Sequence, residues 1–230
     1  MNILDENMMV GSLVAKIPAC ASLFERVGID YCCKGKRTLK ELCVEKNLHL
    51  VDVLGELRKI SMISPSMDWN KLSIKDLINH VIEKHHDYLR KELPRLSNLI
   101  YKVMTKHGLC YPELIELRGI FEELKKNLIE HLKKEELIVF PVIEDFLTDK
   151  PDFTKEKKEN LRNHLSSLEL EHTESGVALE KMNKLTNGYM PPVGACATHI
   201  VMLSSLAALE KDMREHVHKE NHILFLHVLE

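Results

Sequence analysis

Apolar residues recur every three to four positions along most of this chain, the spacing of helices with one buried face. Residues 10–27 read as an amphipathic helix interrupted near Pro18. Residues 28–35, Gly28 to Gly35, break the periodicity and predict a loop. Two shorter helices are expected over 38–46 and 51–60, with Thr38 and Asp52 suited to N-cap or first-turn positions. Residues 61–68 are short in apolar periodicity and rich in Ser and Pro, which predicts a linker. From Ser73 onward four long helical patterns follow, at about 73–106, 112–147, 154–187 and 195–228. Ser73, with Asp76 three residues on, resembles a capping box. Pro112 suits a first turn, and Pro141 predicts a kink or an early end within the second pattern. Breaks at 149–152 and 187–192 separate the second, third and fourth patterns. The expected fold is all-α. A small helical domain occupies 1–60, a linker 61–69, and an up-down-up-down four-helix bundle 70–230.

Composition narrows the class. Of the 230 residues, 44% are hydrophobic and 29% charged, the balance of a water-exposed globular chain with ample core. The net charge of −3, with no block of like charge, argues against nucleic acid as a partner. Apolar runs are short and interrupted by charge, and the N-terminus lacks a signal-peptide pattern, so no membrane association and a cytoplasmic location are expected. Six Cys, at 20, 32, 33, 43, 110 and 196, are too few and too irregular for a disulfide scaffold and fit a reducing compartment. Cys20, Cys110 and Cys196 read as ordinary semi-buried positions.

A repeat carries the chemistry. The skeleton H-x-x-K-E-x-x-I-x-F occurs at His131–Phe140 and again at His216–Phe225. Each copy sets a His four residues before a Glu, so imidazole and carboxylate point the same way from one helix. Among 13 His, only His131 and His216 have Glu at that spacing. Both pairs lie in apolar stripes: Leu124, Leu128, His131, Glu135, Ile138 in one, and Leu209, Met213, His216, Glu220, Ile223 in the other. A buried carboxylate is costly unless paired or metal-bound. The other two helices each offer a His in their own stripe, His86 and His172. His86 precedes His131 by 45 residues and His172 precedes His216 by 44. Two helical hairpins of the same plan thus converge four imidazoles and two carboxylates. That donor set suits two first-row metal ions bridged by carboxylates, with iron favoured over zinc. Of the remaining His, His218 and His222 point about 200° away from the His216 stripe, at 100° per residue, which predicts a solvated face. His85 reads as a flank residue and His80 and His164 as surface or boundary positions. His107, near the end of the first long helix, is ambiguous. Tyr88 and Tyr101 read as packing residues.

Cys32 and Cys33 form a vicinal pair in the predicted loop beside Lys34, Lys36 and Arg37. Cationic neighbours favour thiolate, so the pair is a candidate for reaction with oxidants, nitric oxide or a metal. A disulfide between adjacent residues would be strained and readily reduced. Cys43 is a candidate third partner. The alternative reading is two small residues plugging a turn.

At these residues the chain resembles the Repair of Iron Centers family, the ScdA/YtfE-type di-iron proteins, over essentially its full length. The later part is similar to a hemerythrin-like domain through His86–Pro94, His131–Pro141, Glu171-His172 and His216–Glu220. The first part resembles the family's small ScdA-type domain through Asp30-Tyr31-Cys32-Cys33 and the basic loop behind it. One departure is Leu226 where the second motif usually has Pro. The resemblance implies iron ligands at His86, His131, Glu135, His172, His216 and Glu220, with the two Glu as bridges between two non-haem iron ions. It implies redox or iron and sulfur handling at Cys32 and Cys33. It also implies repair of iron–sulfur clusters damaged by nitrosative or oxidative stress, through supply of iron to the damaged proteins as clients. Nitric oxide reduction at the di-iron centre remains open, as does a hemerythrin-like oxygen or nitric oxide carrier or sensor. The small domain could dock on the bundle of a second subunit, giving a homodimer.

Overall fold

The computed structural model describes residues 4–63, 69, 72–148 and 154–226. Most of the predicted linker (64–68) and the break at 149–152 lie outside them. The described residues are helical, apart from turns and one isolated bridge pairing Met9 with Thr38. Among them no helix is long and apolar enough to cross a membrane. The chain forms two compact units, Met1–Leu77 with Arg214–Glu230, and Ile78–Met213.

In the first unit the pattern over 10–27 resolves into two helices, α1 (Val10–Lys16) and α2 (Cys20–Val27), with Pro18 between them. Pro18 supplies no N–H and cannot continue the first helix. Gly28 ends α2 in the left-handed region at φ 72°, and Ile29 N–H bonds back to the Phe24 carbonyl at 2.8 Å. Helix α3 (Leu39–Glu45) opens on a full capping box between Thr38 and Glu41. Helix α4 (Leu50–Ile63) runs three residues past its expected end, into the predicted linker. Val10, Leu13, Leu23, Phe24, Leu39, Leu42 and Leu57 form the core here. Cys20 and Cys43 are buried with them, whereas Cys110, in the second unit, is exposed and Cys196 intermediate. Burial pushes the Cys20 thiol up to about 11.

The second unit is the helical bundle. Its four runs are α5 (Ile74–Val81) leading into α6 (Asp87–His107), then α7 (Glu113–Lys134) leading into α8 (Phe140–Thr148), then α9 (Lys155–Leu185), then α10 (Ala197–Lys219), whose last turns pass into the first unit. Helix α7 packs on both α6 and α9. Asn183 ties α9 to Glu210 of α10, and Arg95 of α6 reaches Ser205 of α10, which closes the ring of four. Ser73 and Thr154 cap their helices through backbone N–H groups of Asp76 and Lys157. Pro112 sits at the N-cap, one residue before the expected first turn.

The seams of this bundle explain the site. Leu89, Leu93, Leu96, Ile100 and Val103 of α6 are buried at alternating steps of four and three. Leu114, Leu117, Phe121, Leu124 and Leu128 of α7 follow the same rule, as do Leu161, Leu165, Leu168, His172, Ser175, Leu179 and Met182 of α9. That spacing presents one stripe to neighbours crossing at a shallow angle. Each fully buried side chain stabilises the fold by about 1.5–3 kcal/mol. His86 and His131 occupy the next positions on their stripes and His172 lies within its own, so the packing register itself delivers them to the interior.

Candidate metal centre

Among the described residues three turns widen from α to π geometry: Ile82–His86, Glu135–Val139 and Glu220–Leu224. His86 ends the first, and Glu135 and Glu220 open the other two. A π turn inserts one residue into a helix and is frequent at functional sites. It re-aims the residues that follow. Ile138, expected on the buried stripe, is exposed, and Val139 takes its place. In the second copy Ile223 is buried as expected. The irregularity expected at Pro141 falls just upstream of it, and the helix then runs on to Thr148.

Within the second unit Glu135 lies among three imidazoles. Its Oε2 is 3.3 Å from His86 Nε2, and its Oε1 is 3.3 Å from His131 Nε2 and 4.0 Å from His172 Nε2. His131 and His172 bring their Nε2 atoms to 3.0 Å. All four residues are buried. One carboxylate oxygen thus faces His86 and the other faces His131 and His172. Two further carboxylates act from outside. Glu136 holds His86 Nδ1 at 2.6 Å and Glu171 holds His131 Nδ1 at 2.7 Å. Such bonds place the proton on Nδ1 and leave the Nε2 lone pair facing inward. Arg90 grips Glu136 and Lys134 grips Glu171. The bond from His131 is the main influence holding the Glu171 carboxyl down to about 2, with burial opposing and Lys134 assisting. Burial resists ionisation of Glu136, but Arg90 and His86 outweigh it and keep its carboxyl below the usual range. Sequence reasoning assigned no role to Glu136. The available signal was adjacency: Glu136 follows Glu135 and Glu171 precedes His172.

His85 is fully buried rather than on a flank, with Nδ1 2.9 Å from Asp212. The π turn ending at His86 allows two successive His to face inward. His107 lies 21 residues beyond His86 along the helical run, roughly 30 Å at the rise of a helix, and takes no part in the centre.

In the first unit His216 Nε2 and Glu220 Oε1 lie 2.9 Å apart, both fully buried. The expectation for His218 and His222 is overturned. Both are buried, because α1 and the loop carrying Tyr31, Cys32 and Gly35 cover the far face of this helix end. His218 Nε2 donates to the Gly11 carbonyl at 2.9 Å, and its ring meets Tyr31 edge-on. His222 Nε2 donates to the Cys32 carbonyl at 2.8 Å. Desolvation pushes His218 down to about 4. The Cys32–Cys33 pair is reduced, with Sγ atoms 3.8 Å apart. Asp30 Oδ1 accepts from the backbone N–H of both and from the Cys32 thiol. The expected cationic activation is not realised at Cys32. Lys34 and Arg37 pair with Glu45 instead. The Cys33 thiol, burial and Asp30 together raise Cys32 well above its ordinary value, against a smaller pull from Arg214.

Two family models match this chain. Residues 77–228 match the hemerythrin HHE cation binding domain, and residues 6–61 match ScdA_N, a domain of unknown function. The iron-sulfur cluster repair protein ScdA of Staphylococcus haemolyticus is 30% identical over 222 residues, covering 94% of this chain and 96% of that one. The iron-sulfur cluster repair protein YtfE of Pectobacterium atrosepticum is 32% identical over 225 residues, with 94% of each covered. YtfE of Escherichia coli O81 is 32% identical over 216 residues. The chain belongs to the ScdA/YtfE family. In this ScdA/YtfE-family chain the cation-binding match spans His86, His131, Glu135, His172, His216 and Glu220 alike, and the ScdA_N match spans Cys32 and Cys33.

Proposed function

We propose that this chain is a di-iron protein that repairs iron–sulfur clusters damaged by nitrosative or oxidative stress, supplying iron to the damaged proteins. The observation that carries the reading is Glu135, a buried carboxylate set among three imidazoles, two of them pinned through Nδ1 by outer carboxylates. His86, His131, Glu135 and His172 would hold the ions, and His216 with Glu220 would complete the set. Three things support the last two. Leu206, Leu209, Met213, His216 and Glu220 continue one buried stripe of α10 at steps of three and four. Glu220 opens a π turn at the same place in the repeat as Glu135. The cation-binding match runs through both motifs.

The donors fit iron: imidazole nitrogens with anionic oxygens and no thiolate among them. Bound there, two iron ions would supply a ferrous–ferric couple and, in the weaker-held ferrous form, transferable metal. The protein's own part is to exclude water, to fix the Nε2 lone pairs inward through Glu136 and Glu171, and to offset cationic charge with Glu135 and Glu220. Of the readings open at the outset, cluster repair is the one the relatives' names support. Anaerobically purified protein should contain about two irons per chain, coupled in its Mössbauer spectrum. Replacing His131 and Glu135 together by Ala should leave helicity intact by circular dichroism while iron and reactivation of a nitric-oxide-damaged [4Fe–4S] enzyme are lost. Undiminished reactivation by that variant would overturn the proposal.

A further inference from the structure

Where the C-terminus of α6 meets the N-terminus of α10, a thiol and an imidazole are held together. Cys196 Sγ and His107 Nε2 lie 3.2 Å apart. Ala195 N–H bonds back to the Pro192 carbonyl at 3.0 Å, with Gly194 between them in the left-handed region at φ 81°. That turn delivers the chain to Cys196, whose carbonyl accepts from Ile200 N–H at 3.0 Å and so opens α10. Gly108 N–H bonds back to the Met104 carbonyl at 2.8 Å and closes α6 behind His107. Sulfur thus stands at the start of a 23-residue helix, and imidazole in the last turn of a 21-residue one. The helix macrodipoles favour an anion at the first place and a cation at the second. Both helix ends therefore favour passage of the thiol proton from Sγ to Nε2, which leaves a thiolate beside an imidazolium.

The surroundings suit a small neutral guest. Cys196 and His107 are each partly exposed, so species in solvent reach them. The His199 ring stacks on that of His107 with centroids 6.1 Å apart, and Tyr111 meets His199 edge-on at 5.5 Å. His199 is 4% exposed, and its Nδ1 has no hydrogen-bond partner among the described residues, a costly state for a buried polar atom. Burial, and then His107, push the His199 pKa down, so this imidazole stays neutral and offers a hydrogen bond without charge. Cys110 makes the contrast: it is exposed, and its sulfur has no partner among the described residues. Oxidation of a thiol follows thiolate character and access together, and the Cys196–His107 pair combines them. We propose that Cys196 and His107 form a reversible oxidation site, at which a hydroperoxide converts the Cys196 thiol to a sulfenic acid. The sulfur gives an electron pair to the nearer peroxide oxygen, so an S–O bond forms and the O–O bond breaks. The departing hydroxide or alkoxide takes the proton that His107 received from the thiol and leaves as water or alcohol. Sulfur is oxidised by two electrons and the peroxide reduced by two. A low-molecular-weight thiol then displaces water from the sulfenic acid, and a second one frees the Cys196 thiol as their disulfide departs. The site shares no residue with the centre around Glu135.

The test is a competition between two thiols of one chain. Full-length iron-loaded protein, held in the ferric state so that ferrous ion does not consume the oxidant, is given hydrogen peroxide with dimedone as the sulfenic acid trap. Peptide mass spectrometry then follows the adducts on Cys196 and Cys110 separately. Cys196 should be labelled about tenfold faster than the more exposed Cys110, since an ordinary thiol is only a few per cent thiolate at neutral pH. His107→Gln, which keeps a polar group but no base, should slow Cys196 by about the same tenfold. Cys110 labelling, helicity and iron content should not change in that variant. With a low-molecular-weight thiol in place of dimedone, Cys196 should return to a form that iodoacetamide alkylates. Equal labelling of the two thiols in the unaltered protein would overturn the proposal, whatever the variant does. So would an unchanged or faster Cys196 in His107→Gln, which would make His107 a shield and not a base.

Discussion

Two glycines show how much depends on single atoms in the first unit. A Cβ on Gly11 would stand 2.6 Å from Nδ1 of His222, with only ring atoms of His222 as its nearest neighbours. A Cβ on Gly35 would meet the same ring at 2.2 Å and also the Tyr31 carbonyl at 2.3 Å. The His222 ring therefore lies in a slot walled by two missing side chains. Gly11→Ala should cost about 1–3 kcal/mol in urea unfolding, the range for overpacking. His222→Ala should also destabilise, through lost packing and a lost donor to Cys32. The double variant should cost less than the two together by about 1 kcal/mol or more, because removing the ring frees the space the new methyl needs. Strict additivity would mean that the ring does not occupy the slot. Gly119, on the exposed side of α7 with nothing near its Cβ, should respond oppositely: Gly119→Ala should stabilise by about 0.5–1 kcal/mol. At the candidate centre, Glu171→Gln keeps the shape but weakens the grip on His131 Nδ1, and iron affinity measured by chelator competition should fall about 10–100-fold. The inward-facing His were legible in the sequence because apolar periodicity marks a buried stripe. Glu136 and Glu171 were not, since each lies one residue off its stripe, where a charged residue looks solvated.

At the level of elements, periodicity located the four long helices to within a few residues, and Pro18 and Gly28 marked real breaks. It failed in two instructive places. The first is His218 and His222. Their direction, away from the His216 stripe, was correctly placed by helical geometry, but the inference to solvent was wrong. A helix end covered on both faces has no solvated side, and no helical wheel reveals a second covering element. The second is the π turns. A period of 3.6 residues, carried through Glu135, predicts Ile138 inward, but the inserted residue moves the buried position to Val139. The repeat H-x-x-K-E-x-x-I-x-F held the information, since two of the π turns begin at its Glu. It is not readable as π geometry without the coordinates, because nothing in the residue types forbids an ordinary turn. The basic loop behind Cys33 is similar. Composition suggested thiolate activation, but charge near in sequence is not charge near in space. Glu45 on α3 takes up Lys34 and Arg37.

For the whole molecule, the stripes of Leu, Ile and Val and the proposed ligands divide the work of stability. The apolar stripes extend over most of each long helix and need no metal to pack, so chelation should leave the bundle folded. The ligand layer is different. Glu135 and Glu220 are both fully buried, and a carboxylate in such a place is costly unless a cation stands beside it. Iron that binds only the folded state adds RT ln(1 + [L]/Kd), about 2.7 kcal/mol when free ion exceeds Kd a hundredfold. For a chain of this size that corresponds to a rise of roughly 5–10 °C in Tm, taking about 2–4 °C per kcal/mol. Anaerobic calorimetry of the same preparation before and after chelation, and again after ferrous ion is restored, should show the rise lost and regained. The variant lacking both His131 and Glu135 should unfold at one temperature whether or not ferrous ion is present. A metal-independent Tm in the unaltered protein would mean that the buried carboxylates are compensated by protein groups alone, and the proposed centre would lose its physical basis.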